Sequence, residues 1–439
     1  MFFDRPEAGR KAVVLQIHFR NAAEGAQTRA ERDTSSLNEC VELARTAGVD
    51  VVETVTAVRD HPHPRWFVGS GKLEELKARL AASEADLVIV NHDPGAGAQR
   101  NLERALDCAV LSRTELILGI FAGRARTYEG KLQVELAQLK HAQTRLVRGW
   151  THLDRQKGGI GLRGAGETQL ELDQRMLGER IKVAERKLDD VGRRRALGRR
   201  RRDRSNIPTV SLVGYTNAGK STLFNALTTA DVLSEDKLFA TLDPTMRRLT
   251  IDGVGPVVLA DTVGFIRELP HALIEAFKAT LEEVAGADLL LHVVDGAATG
   301  VEARVAEVNQ VLEEIGARDL PTLMVCNKMD LGADPEVPPF QEGIPVSART
   351  GEGLDELRRS IAAALGVGAP TDVLLAPEDG RTRAWLYSLG AVMQETVAED
   401  GRLALRLRAD RTLIERLDGM PTVLLQQTDP VHKLSSLAN

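Results

Sequence analysis

Cysteine is scarce in this sequence: three residues in 439, Cys40, Cys108 and Cys326, odd in number and without a C-x-x-C spacing. That argues against a disulfide framework and a cysteine-based zinc site, and for a reducing compartment. Long apolar runs are missing too; none approaches the roughly 18 residues of a membrane span. The opening Met1-Phe-Phe-Asp-Arg-Pro6 has no apolar core of the secretory kind, so the expected location is the cytoplasm. Net charge is only −6, from 57 basic and 63 acidic residues, so the molecule as a whole is no general polyanion binder. Contact with nucleic acid must come from where the charge is placed. His61 and His63 have no further ligands beside them and read as a solvated turn rather than a metal site. Hydrophobic residues make up 43%, enough for proper cores, and the length fits three or four domains.

Against this background one stretch carries chemistry. Gly214-Tyr215-Thr216-Asn217-Ala218-Gly219-Lys220-Ser221 fits the phosphate-loop pattern G-x-x-x-x-G-K-[ST] in full. A strand-like run, Thr209-Val-Ser-Leu-Val213, precedes it, and Thr222-Leu-Phe-Asn-Ala-Leu227 follows as the first turns of a helix. Glycines let the backbone fold around phosphates, and amides at a helix start point at them. Lys220 can reach the β- and γ-phosphates, and the Ser221 hydroxyl can ligate Mg²⁺. Val257-Val-Leu-Ala260 reads as a buried strand ending in Asp261-Thr262-Val263-Gly264. The acid can hold Mg²⁺ through water, and the Gly264 amide can meet the γ-phosphate. Leu323-Met-Val-Cys326 reads as another strand, ending in Asn327-Lys328-Met329-Asp330. The Asp330 carboxylate can accept from the N1–H and the 2-amino group of guanine. Adenine offers neither donor, so a buried Asp330 would select guanine. Ser347, Ala348 and Arg349, after Val346, supply a fifth loop beside the base. The five motifs in this order resemble the translation-factor-like branch of P-loop GTPases. Gly69-Ser-Gly-Lys72 is a false match that lacks the first glycine and the closing Ser/Thr; it reads as a helix start.

The rest of the chain sets the context. From about residue 11 to 123, strand patterns (12–17, 49–55, 87–90) alternate with helical ones (37–47, 72–82, 98–106), which gives a small domain with a mainly parallel sheet. Two apolar seams follow: Leu132, Leu136, Leu139 and Leu146, then Leu177, Ile181, Ala184, Leu188 and Val191. They read as amphipathic helices that can pair antiparallel. Between them, five glycines in the nine residues 158–166 form a tip longer than a simple helix connection needs. Residues 124–163 carry nine Lys/Arg against three Asp/Glu, with Trp150 and His152 near the tip. This suits an RNA surface, with Arg155, Lys157 and Arg163 on phosphates; a solvated helix face is the alternative. Residues 193–204 hold eight arginines and one acid and read as a phosphate-touching linker or as a solvated helix end. After a boundary near 366–371, residues 385–393 read as helix and 395–407 as a hairpin around Glu399-Asp-Gly401. The expected fold class is α/β and multidomain. It comprises an N-terminal α/β domain (1–123) and a long antiparallel helical hairpin with glycine-rich tip and Arg-rich linker (124–204). A P-loop GTPase domain (205–367) and a small C-terminal α/β domain (368–439) complete it.

Gly159-Ile-Gly-Leu-Arg-Gly-Ala-Gly-Glu-Thr-Gln-Leu-Glu171, upstream of Phe239-Ala240-Thr241-Leu242-Asp243-Pro-Thr245, resembles the HflX family of ribosome-associated GTPases. The likeness covers nearly the whole chain. It implies binding to the large ribosomal subunit and its RNA, splitting of stalled ribosomes under stress, and a glycine-rich tip that reaches toward the peptidyl-transferase region. It also implies that the second motif, residues 239–243, lies at the nucleotide, with Thr241 on Mg²⁺ when GTP is bound; Thr245 is the alternative in that loop. Thr241 and Lys220 would support the transition state. Phe265 stands where many signalling GTPases carry a water-orienting glutamine, and a phenylalanine cannot do that work. Hydrolysis must use another group, a backbone-held water or a partner. The expected partners are GTP, GDP and the large subunit, with a monomer off the ribosome. Rival readings are an assembly factor for the large subunit and a nucleotide-gated RNA-binding scaffold whose hydrolysis is incidental.

Overall fold

The computed structural model describes residues 9–20, 26–150, 165–204, 207–228, 238–239, 241, 244–252, 254–267, 273, 277–298, 300–332, 342–365, 371–389, 391–398, 400–407, 411–420 and 422–426. Within these, side chains are described except at 26–33, 147–150, 165–170, 195–204, 278–280, 282, 411–412, 415 and 426. The chain forms two compact units. One comprises Met1–Ala196, Glu235–Asp243 and Ile266–Ala279; the other comprises Leu197–Ser234, Pro244–Phe265 and Thr280–Asn439.

The first unit is built on a four-stranded parallel sheet of order β2-β1-β3-β4, with β1 Lys11–Phe19, β2 Asp50–Arg59, β3 Leu87–Val90 and β4 Ala109–Ser112. Of the two central strands, β3 is apolar and buried throughout and β1 is buried from Ala12 to Ile17, as expected where both faces of a parallel sheet are covered. Helices α1 (Ala26–Thr46), α2 (Ser70–Ser83) and α3 (Ala96–Leu106) connect them, and α4 (Arg113–Arg124) follows β4. Val13, Leu15, Val88 and Val90 pack with Leu73, Leu76 and Leu102. Gly69 is the N-cap of α2, so the false phosphate-loop match is a helix start. The elements β4 and α4 go beyond the sequence reading. Helix α4 hides because it is apolar nearly all round, from Leu116 to Phe121, and so shows no amphipathic stripe.

Helix α5 (Tyr128–Trp150) and helix α6 (Ala165–Arg204) carry the two seams. Leu136 and Leu139 pack with Leu177, Ile181 and Ala184, with Leu146 and Leu188 partly buried beside them. The arginine tract at 193–204 is the last part of α6. Glu115 of α4 faces this region in the first unit. It accepts from the Ser112 amide at 2.8 Å and from Gln99 Nε2 at 2.9 Å, and it pairs with Arg145 of α5. Burial alone would raise its carboxyl, but the His141 hydrogen bond, the Arg145 charge and the Ser112 amide outweigh it and bring it down to about 2.

The second unit contains a six-stranded sheet of order β10-β9-β8-β5-β7-β6. Its strands are β5 Thr209–Val213, β6 Thr245–Ile251, β7 Gly255–Asp261, β8 Leu289–Asp295, β9 Thr322–Asn327 and β10 Ile344–Pro345. Only β6 runs antiparallel to its neighbour. Val210, Leu212, Leu259, Leu291 and Val325 form the middle of the core with Leu223 and Phe224 of α7 (Lys220–Thr228). A second, antiparallel sheet of order β12-β13-β11-β14 occupies the C-terminal part. It is formed by β11 Thr371–Leu375, β12 Val392–Val397, β13 Leu403–Leu407 and β14 Val423–Gln426. The helix read at 385–393 is corrected: the observed helix is Gly380–Ser388, and Met393 lies in β12. That strand pairs antiparallel with β13, and the pairing overrides the weak helical pattern.

Candidate nucleotide-binding site

Strand β5 is buried along its whole length and delivers the chain into the phosphate loop at a fixed point. Gly214 turns there with φ +143°, and a Cβ on it would run into the Val293 carbonyl. No other residue type fits that turn. Asn217 and Gly219 also take positive φ, at +61° and +89°, and α7 starts at once with Lys220. The sheet order places the ends of β5, β7, β8 and β9 on one edge, the usual position of a ligand in an open α/β sheet.

Lys220 is 6% exposed, and its Nζ donates to the carbonyls of Gly214 at 3.0 Å and Tyr215 at 2.7 Å. Burial pushes its amine down to about 8, against the opposing pull of the Asp261 charge. The Ser221 hydroxyl donates to Asp261 Oδ2 at 2.7 Å, and Asp261 is fully buried at the end of β7. These are hard oxygen donors, one hydroxyl from the start of α7 and one carboxylate from the end of β7. Their chemistry fits Mg²⁺ and not a soft metal. Among the described residues there is no group of three or more His, Cys, Asp or Glu that could hold a metal by itself, His61 and His63 included.

The third motif is fastened to the first by its backbone. Thr216 N–H donates to the Phe265 carbonyl at 2.7 Å, and Phe265 N–H donates to the Gly214 carbonyl at 3.1 Å. Thr262 anchors the same strand end through its hydroxyl, which donates to the Leu212 carbonyl at 2.6 Å. Val263 is buried, and a Cβ at Gly264 would crowd Lys220 Nζ at 2.9 Å, so the loop must pass close to the lysine. Phe265 is 3% exposed, and its backbone forms the bridge to Tyr215.

Asn327 ties the fourth motif to two others. Its Nδ2 donates to the Ala218 carbonyl and its Oδ1 accepts from the Ala348 N–H, both at 3.0 Å, and the residue is 1% exposed. Lys328 takes φ +67° and pairs with Asp295 at 2.9 Å. Asp330 Oδ1 accepts from the buried Ser347 hydroxyl at 2.7 Å, which aims the carboxylate from behind. Asp330 is exposed, with Met329, on a 3₁₀ turn at Met329–Leu331, and Arg349 is exposed as well. A base that docks there would itself supply the cover.

The second motif is found in the first unit. Phe239 is 2% exposed, and its ring stacks edge-on against Phe121 of α4 at 4.5 Å. Its side chain is therefore part of an apolar cluster. Thr241 is half-buried, and Thr245 opens β6. Ala240, Leu242 and Asp243 lie outside the described residues, as do Arg155, Lys157, Arg163 and the glycine-rich tip.

Sequence reasoning passed over His292. It lies mid-strand in β8, 1% exposed, and its Nδ1 has no hydrogen-bond partner among the described residues. Burial, then the nearby Lys220 charge, push its imidazole down to about 4. It is therefore neutral near pH 7. The signal was a single polar residue inside the apolar run Leu289–Val294.

Four family models match the chain in succession: "GTP-binding GTPase N-terminal" at residues 34–122, "GTP-binding GTPase Middle Region" at 124–202, "50S ribosome-binding GTPase" at 209–328 and "HflX C-terminal domain" at 339–420. GTPase HflX of Escherichia coli strain K12 is 50% identical over 413 residues, which cover 92% of this chain and 95% of that protein. GTPase HflX of Magnetococcus marinus is 49% identical over 405 residues, which cover 90% of this chain and 91% of that protein. A solved GTP-binding protein from the archaeon Sulfolobus solfataricus, in complex with GDP, is 24% identical with a TM-score of 0.42, covering 81% of this chain and 98% of that one. Among the described residues no helix is long and apolar enough to cross a membrane.

Proposed function

The chain belongs to the HflX family of GTPases and hydrolyses GTP, and from that premise we propose that it binds the large ribosomal subunit and, in its GTP state, dissociates stalled or idle ribosomes. Hydrolysis then resets it. The observation that carries the reading is the match of residues 209–328 to a GTPase family described as binding the 50S particle. The excess of base over acid at 124–163 supports it, because ribosomal RNA offers phosphates to such a surface. Arg155, Lys157 and Arg163 are proposed to meet RNA beside the glycine-rich tip. The protein is proposed to act in the cytoplasm and to be monomeric off the ribosome.

The site residues fall into roles that this activity needs. The loop of 214–219 would cradle the phosphates, and Lys220 would exchange its two carbonyl partners for phosphate oxygens. Mg²⁺ is proposed to be held by Ser221 and Thr241, with Asp261 acting through water; bound there, it supplies positive charge to the phosphate oxygens. Asn327 holds the phosphate loop and the base loop in one frame. Asp330, oriented by Ser347, would read the guanine edge. Phe265 is committed to the backbone bridge with Gly214 and Tyr215, which supports a hydrolysis step that depends on a partner or a backbone-held water.

Sedimentation tests the proposal. Intact ribosomes mixed with the full chain and a non-hydrolysable GTP analogue should separate into subunits. A variant with 158–166 replaced by a short Gly-Ser link should still bind nucleotide and ribosomes but lose the splitting. Intact ribosomes carrying bound protein would overturn the splitting role in favour of a scaffold, and binding only to immature large particles would favour an assembly factor.

A further inference from the structure

The turn that follows β8 belongs to none of the five motifs, yet it is built onto the fourth, and both lie in the second unit. The ladder between β8 and β9 ends with Asp295 opposite Asn327. One residue later the Gly296 N–H donates to the Asn327 carbonyl at 2.8 Å. A Cβ on Gly296 would stand 2.9 Å from Met329 Sδ, so the fourth motif lies directly against this turn. Asp295 is held by the turn itself. The Ala297 N–H donates to its Oδ1 at 3.1 Å, and the Ala298 N–H donates to its carbonyl at 3.2 Å. Its other oxygen, Oδ2, lies 2.9 Å from Lys328 Nζ, and the two side chains are only 20% and 25% exposed.

Lys328 has a conformation that needs holding. Its φ of +67° lies in the left-handed region that residues with a side chain rarely enter. Such a backbone persists only where the surroundings over-determine it. The Asp295 carboxylate is the charged partner that does so here. The lysine stem also passes the phosphate loop, since a Cβ on Gly219 would lie 3.9 Å from Lys328 Cε. Directly after Lys328 the chain enters the 3₁₀ turn Met329–Leu331, and the Leu331 N–H donates back to the Lys328 carbonyl at 3.0 Å. Ser347 steadies the Asp330 side chain on that turn, while Asp295, through Lys328, steadies the backbone that leads into it.

We infer that Asp295 is a positioning residue for the guanine base: by pairing with Lys328 it fixes the left-handed residue that opens the Met329–Leu331 turn, and it thereby sets how sharply Asp330 separates guanine from a base without the 2-amino group. The inference rests on the reading of Asp330 as the guanine contact and not on the ribosome proposal. Guanine presents two donors to the carboxylate, N1–H and the 2-amino group. Hypoxanthine presents N1–H alone. A carboxylate that drifts out of place loses two bonds with guanine and one with hypoxanthine. Asp295 therefore bears on selectivity as well as on affinity.

The test uses the full chain with Mg²⁺ and no ribosomes. Dissociation constants for GDP and inosine diphosphate are measured on the parent, Asp295→Ala, Asp295→Asn, Lys328→Met and the double variant Asp295→Ala/Lys328→Met. Asp295→Ala should weaken GDP about tenfold and inosine diphosphate about threefold, so that the preference for GDP contracts about threefold. Asp295→Asn keeps an oxygen for the lysine and should fall between the parent and Asp295→Ala. On the Lys328→Met background, Asp295→Ala should add less than about twofold, because both residues act through one pair. A purely structural role would lower the unfolding temperature and weaken both nucleotides equally. That unchanged preference overturns the inference, and so does a loss as large on the Lys328→Met background as in the parent. A parent that itself shows no preference for GDP would remove the reading of Asp330 and this inference with it; a parent preference that Asp295→Ala retains removes the inference alone. Should Asp295→Ala fail to fold, Asp295→Asn carries the same test, with a contraction of about twofold expected and an unchanged preference fatal.

Discussion

Replacing Asn327 with alanine should damage nucleotide binding more than it damages the fold. The side chain is 1% exposed and makes two hydrogen bonds of 3.0 Å, one to the Ala218 carbonyl and one from the Ala348 amide. Ala218 and Ala348 are themselves buried, at 2% and 9% exposure, so the truncation leaves an acceptor and a donor short of a partner. Each lost bond is worth about 1 kcal/mol net, and a stranded buried group costs about 1–3 kcal/mol, so the total is on the order of 2–4 kcal/mol. In the free protein the two loops can relax and recover part of this by hydration. With nucleotide bound they must both be in place, so most of the loss should appear as affinity. The expected fall is roughly 30- to 1000-fold for GDP and GTP alike. Calorimetric titration of the variant with both nucleotides, alongside its thermal unfolding, provides the measurement. Affinities within about threefold of the parent, with an unfolding temperature several degrees lower, would show that Asn327 is only a brace of the empty fold.

Three further outcomes are expected. Asp330→Asn should weaken GTP relative to xanthosine triphosphate by about ten- to a hundredfold, because the amide can donate to a 2-oxo group but gives up an acceptor; an unchanged preference in a competition titration would remove Asp330 from base reading. Phe265→Ala should leave slow intrinsic hydrolysis in place, since the Phe265 contribution is its backbone bridge to Gly214, and ribosomes should speed the parent; full turnover by the protein alone, measured as phosphate release, would contradict this. Glu115 has its carboxyl at about 2 in the fold against an ordinary 4.5, so its contribution to stability is complete above 4.5 and fades as pH falls toward 2. The difference in denaturation midpoint between the parent and Glu115→Gln should shrink across that window, and a difference that stays constant with pH would refute the linkage.

The turn of the phosphate-loop motif was legible because its backbone leaves few choices. A turn that must admit a carbonyl where a Cβ would stand demands Gly214. The parallel sheets were legible too, since Leu87–Val90 is apolar in every position and Leu289–Val294 in every position but His292, as expected of strands covered on both faces. Helix α4 was not, for the opposite reason: a helix buried all round loses the periodicity that betrays helices. Its capping box, Ser112 with Glu115, was the one signal present. Position 239 was assigned by motif, and a motif does not tell which way a side chain points. The ring turned inward because an aromatic partner was waiting 118 residues earlier in sequence, a pairing that no local pattern encodes. The exposure of Asp330 follows the same logic, because a residue's place in a motif does not give its solvent exposure.

The division of the chain bears on how it can be cut. The polypeptide passes from one unit to the other five times, at 196/197, 234/235, 243/244, 265/266 and 279/280. Two of the short stretches so exchanged carry the second motif and the residues after the third. A fragment excised at 205–367 would take both stretches with it and leave Phe121 behind, so that Phe239 and Phe277 would have to find new cover. Such a fragment is a different molecule and not a part of this one. Its rate of hydrolysis would describe its own improvised packing, and only point substitutions in the uncut chain can report on the interwoven original.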